Sequence, residues 1–316
     1  MEIKETLVAD CKGSKLDQGS RNRAWPRYVL GWLLVLPTLV VVVTFTILPL
    51  GLALISSLTV DKWTDPLGRQ GSFVGLANYL TLFANPIFAR VMSNTLTFVG
   101  VTVPVSLVLA FAFALLVNGS LKGQGILRLG FFYPAILPMV GAGTIWLFIY
   151  NRNFGLLNQV ISWLGIPAQN WLGSPRWALM AVMVMTIWKI TSYFMIFFLA
   201  GLQNLPDDVL EAGKIDGAND WESLIYLVIP LLKNTIFFVT VIALADAFQT
   251  YDQIAVLTKD GGPNHATNLL LFNIRIAFSN GDYDLANAQS IILVIIILSL
   301  TILAYWISEG RRQIEE

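Results

Sequence analysis

Cysteine and histidine are almost missing from this sequence: its 316 residues contain one of each, Cys11 and His265. A lone cysteine forms no intrachain disulfide, and one cysteine with one histidine builds no zinc cluster. Charge is scarce too. Only 13% of residues are charged, against about 25% in an ordinary soluble domain. The 20 basic and 20 acidic residues cancel, which leaves no basic stripe for nucleic acid and no acidic tail. A P-loop is absent as well. Gly213-Lys214 is followed by Ile215 where Ser or Thr belongs, and Asp208 stands where the first glycine belongs. No convergent nucleophile, base and metal set is present, which argues against a membrane-embedded enzyme. His265 falls in a predicted loop and reads as an ordinary loop histidine.

What the chain has in abundance is hydrocarbon. Hydrophobic residues make up 56% of it, gathered in long blocks. A transmembrane helix needs roughly 20 mainly apolar residues in a row. Six blocks stand out, at 28–58, 92–117, 129–150, 177–202, 234–250 and 285–307. None alternates at period two as a barrel strand would. The fold class is therefore an all-α membrane protein with six transmembrane helices. They form a domain over 28–308, between a polar tail at 1–27 and a short C-terminal tail at 309–316. The first block is too long for a signal-peptide core and no small-residue cleavage pattern closes it, so it reads as a retained span. Pro37 and Pro49 inside it are kinks that membrane helices tolerate.

Lysine and arginine set the orientation. With the N-terminus inside, twelve cations face the cytoplasm: Lys4, Lys12, Lys15, Arg21, Arg23, Arg27, Lys122, Arg128, Lys214, Lys233, Arg311 and Arg312. Seven lie outside: Lys62, Arg69, Arg90, Arg152, Arg176, Lys259 and Arg275. The bias predicts N-in and C-in. On the outer side, Leu76, Tyr79, Leu80 and Phe83 have helical spacing and predict a short interfacial helix. The 151–176 loop repeats the theme, with Trp163 and Trp171 as headgroup anchors.

The loop at 203–233 is unusually long for a helix connection and carries structure signals of its own. Pro206 suits the first turn of a helix, and Asp207 and Asp208 suit its positive pole. Val209, Ala212 and Gly213 share a face, and two of the three are small. Gly217 is a natural stop. Asn219 and Glu222 have capping-box spacing and open a second helix with an apolar stripe at Trp221, Leu224, Ile225 and Val228. Pro230 ends or bends it. Such a rigid pair beneath the bundle is either a lever or an inert interfacial hairpin.

This segment resembles the EAA loop of ABC importer permeases. The matching residues are Glu211, Ala212, Asp216, Gly217, Ala218, Ile229 and Pro230, with Gly213 where the family's third triplet position is alanine. Further segments are similar to sugar-class members: Phe73-Val74-Gly75-Leu76-Ala77-Asn78-Tyr79, Trp188-Lys189, Phe198-Leu199-Ala200-Gly201-Leu202-Gln203, Phe248-Gln249-Thr250-Tyr251-Asp252 and Gly261-Gly262-Pro263. Asp284 departs from the glycine that relatives often carry. The resemblance, which is to maltose and glycerol-3-phosphate types of permease, implies a multi-pass subunit of a bacterial inner membrane. It implies a second permease, commonly non-identical, two ATPase subunits and an extracytoplasmic solute-binding protein. ATP and Mg would sit on the ATPases, with no cofactor on this chain and no nucleic acid partner. Glu211, Ala212, Gly213, Asp216, Gly217 and Ala218 would couple it to an ATPase.

Charges within membrane helices are candidates for function. Lys189 lies in the middle of the fourth block and Asp246 late in the fifth, positioned to pair or to meet solute. Trp188, Ser192, Tyr193, Gln249 and Tyr251 supply the hydroxyl-bonding groups and aromatic faces that a sugar path uses. Together with Lys189 and Asp246 they are the candidate substrate pathway. A channel or scaffold without an ATPase partner is the alternative that residue patterns alone leave open.

Overall fold

The computed structural model describes residues 21–60, 72–119 and 124–309. Cys11, Lys4, Lys12, Lys15, Lys62, Arg69, Lys122, Arg311 and Arg312 lie outside them, and with them most of both tails. The chain separates into two compact units, 1–55 and 56–316. In the first, α1 (Arg21–Val42) runs through one π turn at Val43–Ile47 into α2 (Leu48–Ser57). Pro49 has no N–H for the Phe45 carbonyl, and the wide turn directly before it absorbs the lost bond.

The second unit opens with a two-residue ladder, β1 (Thr59–Val60) on β2 (Ser72–Phe73), with Thr59 opposite Phe73. Buried Asn78 at the start of α3 (Ala77–Ala84) donates to the Ser57 and Thr59 carbonyls, both at 2.9 Å. This is the short helix expected over 76–83. Asn85 then caps α4 (Pro86–Asn118), accepting from the Ile87 amide at 2.9 Å, with Pro86 in the first turn.

α4 packs along α8 (Ala178–Gln203), and this pair is the spine of the core. Phe98 and Phe194 are fully buried, and Phe111 meets Phe198 edge-on at 5.5 Å. Thr95, Thr102 and Thr186 are buried because each hydroxyl bonds the carbonyl four residues back, at 2.6–2.8 Å. The last helix, α15 (Tyr283–Glu309), packs on α12 (Lys233–Phe248) and α14 (Leu270–Asn280).

One block expected to be a single crossing is broken, and the fifth block, itself one helix, is bent against the helix that leads into it. The 129–150 block forms α5 (Gln124–Ile136) and α6 (Met139–Ile149), with a 103° bend at Leu137-Pro138. Pro138 cannot continue α5, and it disfavours helical backbone at Leu137. The helix leading to the fifth block, α10 (Asp220–Ser223), continues through a π turn and α11 (Ile229–Leu231), then meets α12 at 69°. That π turn, Leu224–Val228, directly precedes Pro230, as the first one precedes Pro49. Among the described residues four helices are long and apolar enough to cross a membrane, or up to six if each bent pair is one span.

Between the spans, α7 (Leu156–Trp163) occupies the 151–176 loop. Trp163 is 83% exposed, as an anchor would be, but Trp171 is buried, its Nε1 donating to Asn158 Oδ1 at 2.9 Å. Trp171 is thus a packing residue. α9 (Asp207–Ile215) and α10 form the hairpin expected over 206–230. Both halves of the Asn219–Glu222 capping box are made, at 2.9 Å each. α13 (Asp252–Leu257) and α14 were not anticipated from the sequence.

Candidate functional site

A polar cavity of about 360 Å³ opens where α12 ends. Asp246, Gln249, Thr250 and Tyr251 come from that end, Asp252 and Gln253 from the first turn of α13, Thr186 and Ile190 from α8, and Arg275 from α14. Met139, the first residue of α6, closes one side. The Arg275 guanidinium stacks 4.4 Å from the centre of the Tyr251 ring, and Phe272 tilts against the same ring at 5.5 Å. Aromatic stacking thereby holds an arginine at the wall of the pocket. The cavity offers carboxylate acceptors, two glutamine carboxamides that can donate and accept, and guanidinium donors, the groups that bind hydroxyls.

Three of the seven pathway candidates therefore meet: Asp246, Gln249 and Tyr251. The other four do not line this cavity. Trp188 and Ser192 lie on a different face of α8, in an apolar cavity of about 660 Å³ with Leu109, Phe113, Phe131 and Trp146. Tyr193 is 41% exposed and packs on Phe194 and Phe197. At about 100° per residue, positions 186 and 190 share one face of α8, while 188 and 192 share another. Residue type alone did not reveal that azimuth. Thr186, Thr250, Gln253 and Arg275 were missed. Arg275, a lone cation within the apolar run of α14, was the one with a signal.

Lys189 and Asp246, for which pairing was one of two alternatives, do not pair. Lys189 is buried, and its Nζ donates to the main-chain carbonyls of Pro134 at 3.0 Å and Leu137 at 2.5 Å. Among the described residues no three or more His, Cys, Asp or Glu side chains gather as metal ligands.

At the hairpin, Gly213 of the first helix faces the movable tip of Leu227 on the second. A Cβ there would lie 2.4 Å from Leu227 Cδ1. Gly217 takes the left-handed conformation, with φ of 87°, that ends the first helix. Glu211, Ala212, Asp216 and Gly217 are exposed and Ala218 is half-buried. So are large apolar side chains on the same hairpin: Ile215 is 85% exposed, Tyr226 73% and Trp221 68%.

Residues 71–309 match the family of the binding-protein-dependent transport system inner membrane component, and the chain belongs to that family. It is 37% identical over 286 residues to the trehalose/maltose transport system permease protein MalF of Thermococcus litoralis, covering 90% of this chain and 95% of that one. It is 34% identical over 284 residues to the sn-glycerol-3-phosphate transport system permease protein UgpA of Yersinia enterocolitica, covering 89% and 95%. The fold is that of a chain in a bacterial ABC transporter involved in the import of the acidic polysaccharide alginate. The TM-score is 0.77 at 23% identity, over 91% of this chain and 99% of that chain. The protein is thus a membrane-embedded permease subunit of an ABC importer, a family of transport subunits.

Proposed function

We propose that this chain forms half of the translocation pathway of an ATP-driven importer for a carbohydrate or related polyhydroxy solute. It crosses the membrane six times with both ends in the cytoplasm, pairs with a second and non-identical permease, and receives solute from an extracytoplasmic binding protein. Two partner ATPase subunits hold ATP and Mg; this chain binds no cofactor. The hairpin at α9–α10 is the observation that carries the coupling half of this reading. It is rigid, with a complete capping box and a glycine contact, and it exposes Ile215, Trp221 and Tyr226. Large exposed apolar groups rimmed by charge mark a protein contact. In this reading Glu211 to Ala218 seat on an ATPase, and closure of the ATPase pair swings the hairpin and turns the pathway outward. Shifting such an equilibrium from 1:99 to 99:1 needs about 5.5 kcal/mol of differential binding, which nucleotide supplies and one sugar does not.

The polar cavity is the solute-contacting part of the pathway on this chain. Asp246 and Asp252 accept hydroxyl hydrogen bonds, Gln249 and Arg275 donate them, and two carboxylates beside one guanidinium favour an uncharged solute over a phosphate. Purifying the chain in mild detergent with every companion identified tests the assembly. Recovery of a second permease and an ATPase supports the proposal. Recovery of the chain alone, even with crosslinking at Glu211, sinks it.

A further inference from the structure

The third span is broken by a proline, and a lysine from another helix fills the gap. In a continuous helix the N–H of residue 138 would bond the carbonyl of residue 134. Pro138 has no N–H, so the Pro134 carbonyl loses its donor. The Leu137 carbonyl sits in the break itself. Lys189 reaches both from the middle of α8, at 3.0 and 2.5 Å, with only 9% of its surface exposed. These carbonyls are the C-terminal end of α5, where the helix dipole is negative and a cation is favoured. Water cannot serve them in the hydrocarbon core. An apolar side chain of this length would leave them bare.

The break aims α6. Gly143 of α6 lies against α13 so closely that a Cβ there would be 2.8 Å from Val256 Cγ1. Met139, at the start of α6, lines the polar cavity beside Tyr251 and Asp252, which open α13. The angle of the break thus reaches the cavity through two contacts, while Lys189 does not itself line it.

We infer that Lys189 is a positioning residue for transport. Its ammonium caps the broken third span across helices and so sets where α6 meets α13 and the polar cavity. This role rests on the permease reading, and the wild-type complex run alongside separates the two: a wild type that moves no solute sinks that reading and not this role.

The test uses the complete complex in proteoliposomes, with spin labels at Leu129→Cys on α5 and Ile145→Cys on α6 in a Cys11→Ser background. Lys189→Met shifts the label-to-label distance and lowers the uptake rate by about tenfold or more, since losing even one of its two charge-assisted hydrogen bonds suffices for that. Lys189→Arg, which keeps two donors and the charge, restores distance and rate. If Lys189→Met does not assemble, Pro138→Ala in the same chain returns an N–H to the Pro134 carbonyl. Assembly then recovers while transport, which needs the break, does not. An unchanged distance in Lys189→Met overturns the inference, and with lost uptake it makes the lysine a direct solute contact. So does failure of Pro138→Ala to recover assembly.

Discussion

Tyr251→Ala removes the group that holds Arg275 over the polar cavity. In the intact protein the guanidinium lies 4.4 Å from the ring centre, and Phe272 supports the ring from 5.5 Å. A cation–π contact contributes about 0.5–1 kcal/mol at an exposed site and about 2 when desolvated. Arg275 is exposed, so the lower figure applies. The aromatic pair adds about 0.5–1.5 kcal/mol beyond its buried area. Together the variant forfeits roughly 1–2.5 kcal/mol of cavity organisation, which corresponds to about a 5- to 70-fold rise in KM. The assay is initial uptake by the reconstituted complex at saturating binding protein, with ATP use followed in parallel. Tyr251→Phe keeps both ring contacts and so keeps KM near the wild-type value. Equal behaviour of the Ala and Phe variants would refute the reasoning, because only the ring distinguishes them in the stacking argument. Loss of assembly in Tyr251→Ala is read out by detergent gel filtration, and Arg275→Ala then supplies the same test without touching the ring.

Other expectations follow from the same geometry. Glu211→Arg reverses charge on the exposed hairpin, so membrane insertion stays intact while the ATPase dissociates or burns ATP without transport; normal coupled uptake would count strongly against the lever. Gly143→Ala drives a methyl into Val256, whose branched Cβ is only 3.1 Å from the added carbon, and costs about 1–3 kcal/mol, read as a lowered Tm in detergent. Thr95→Val leaves the fully buried Leu270 amide without its 2.9 Å acceptor and costs about 1–3 kcal/mol in the same measurement, with uptake by the surviving complex little changed. Gly213→Ala is close to neutral, since only the flexible tip of Leu227 must move and the helix gains about 1 kcal/mol of propensity.

The hydrophobic blocks by themselves determined that this is a helical membrane protein, because about 20 apolar residues in a row have no other soluble or spanning solution. The 203–233 hairpin was equally legible. Its stop at Gly217 and its box at Asn219–Glu222 are local chemistry, satisfied within three or four residues whatever the rest of the chain does. Only the tertiary structure decided the rest. The 129–150 block reads as one span in the sequence, whereas the 103° angle at Pro138 depends on Lys189 arriving from 51 positions further along the chain (189 − 138) to serve the carbonyls that the break exposes. The candidate pathway was read from residue types, and type carries no azimuth. Thr186 and Ile190 face Asp246 and Tyr251 while Trp188 and Ser192 face an apolar cavity, a division set by how α8 is turned between α4, α5 and α12. Local sequence dictates where helices begin and end because capping bonds are short-range. Which side of a helix meets which partner is a property of packing between distant segments, and it existed nowhere until the helices came together.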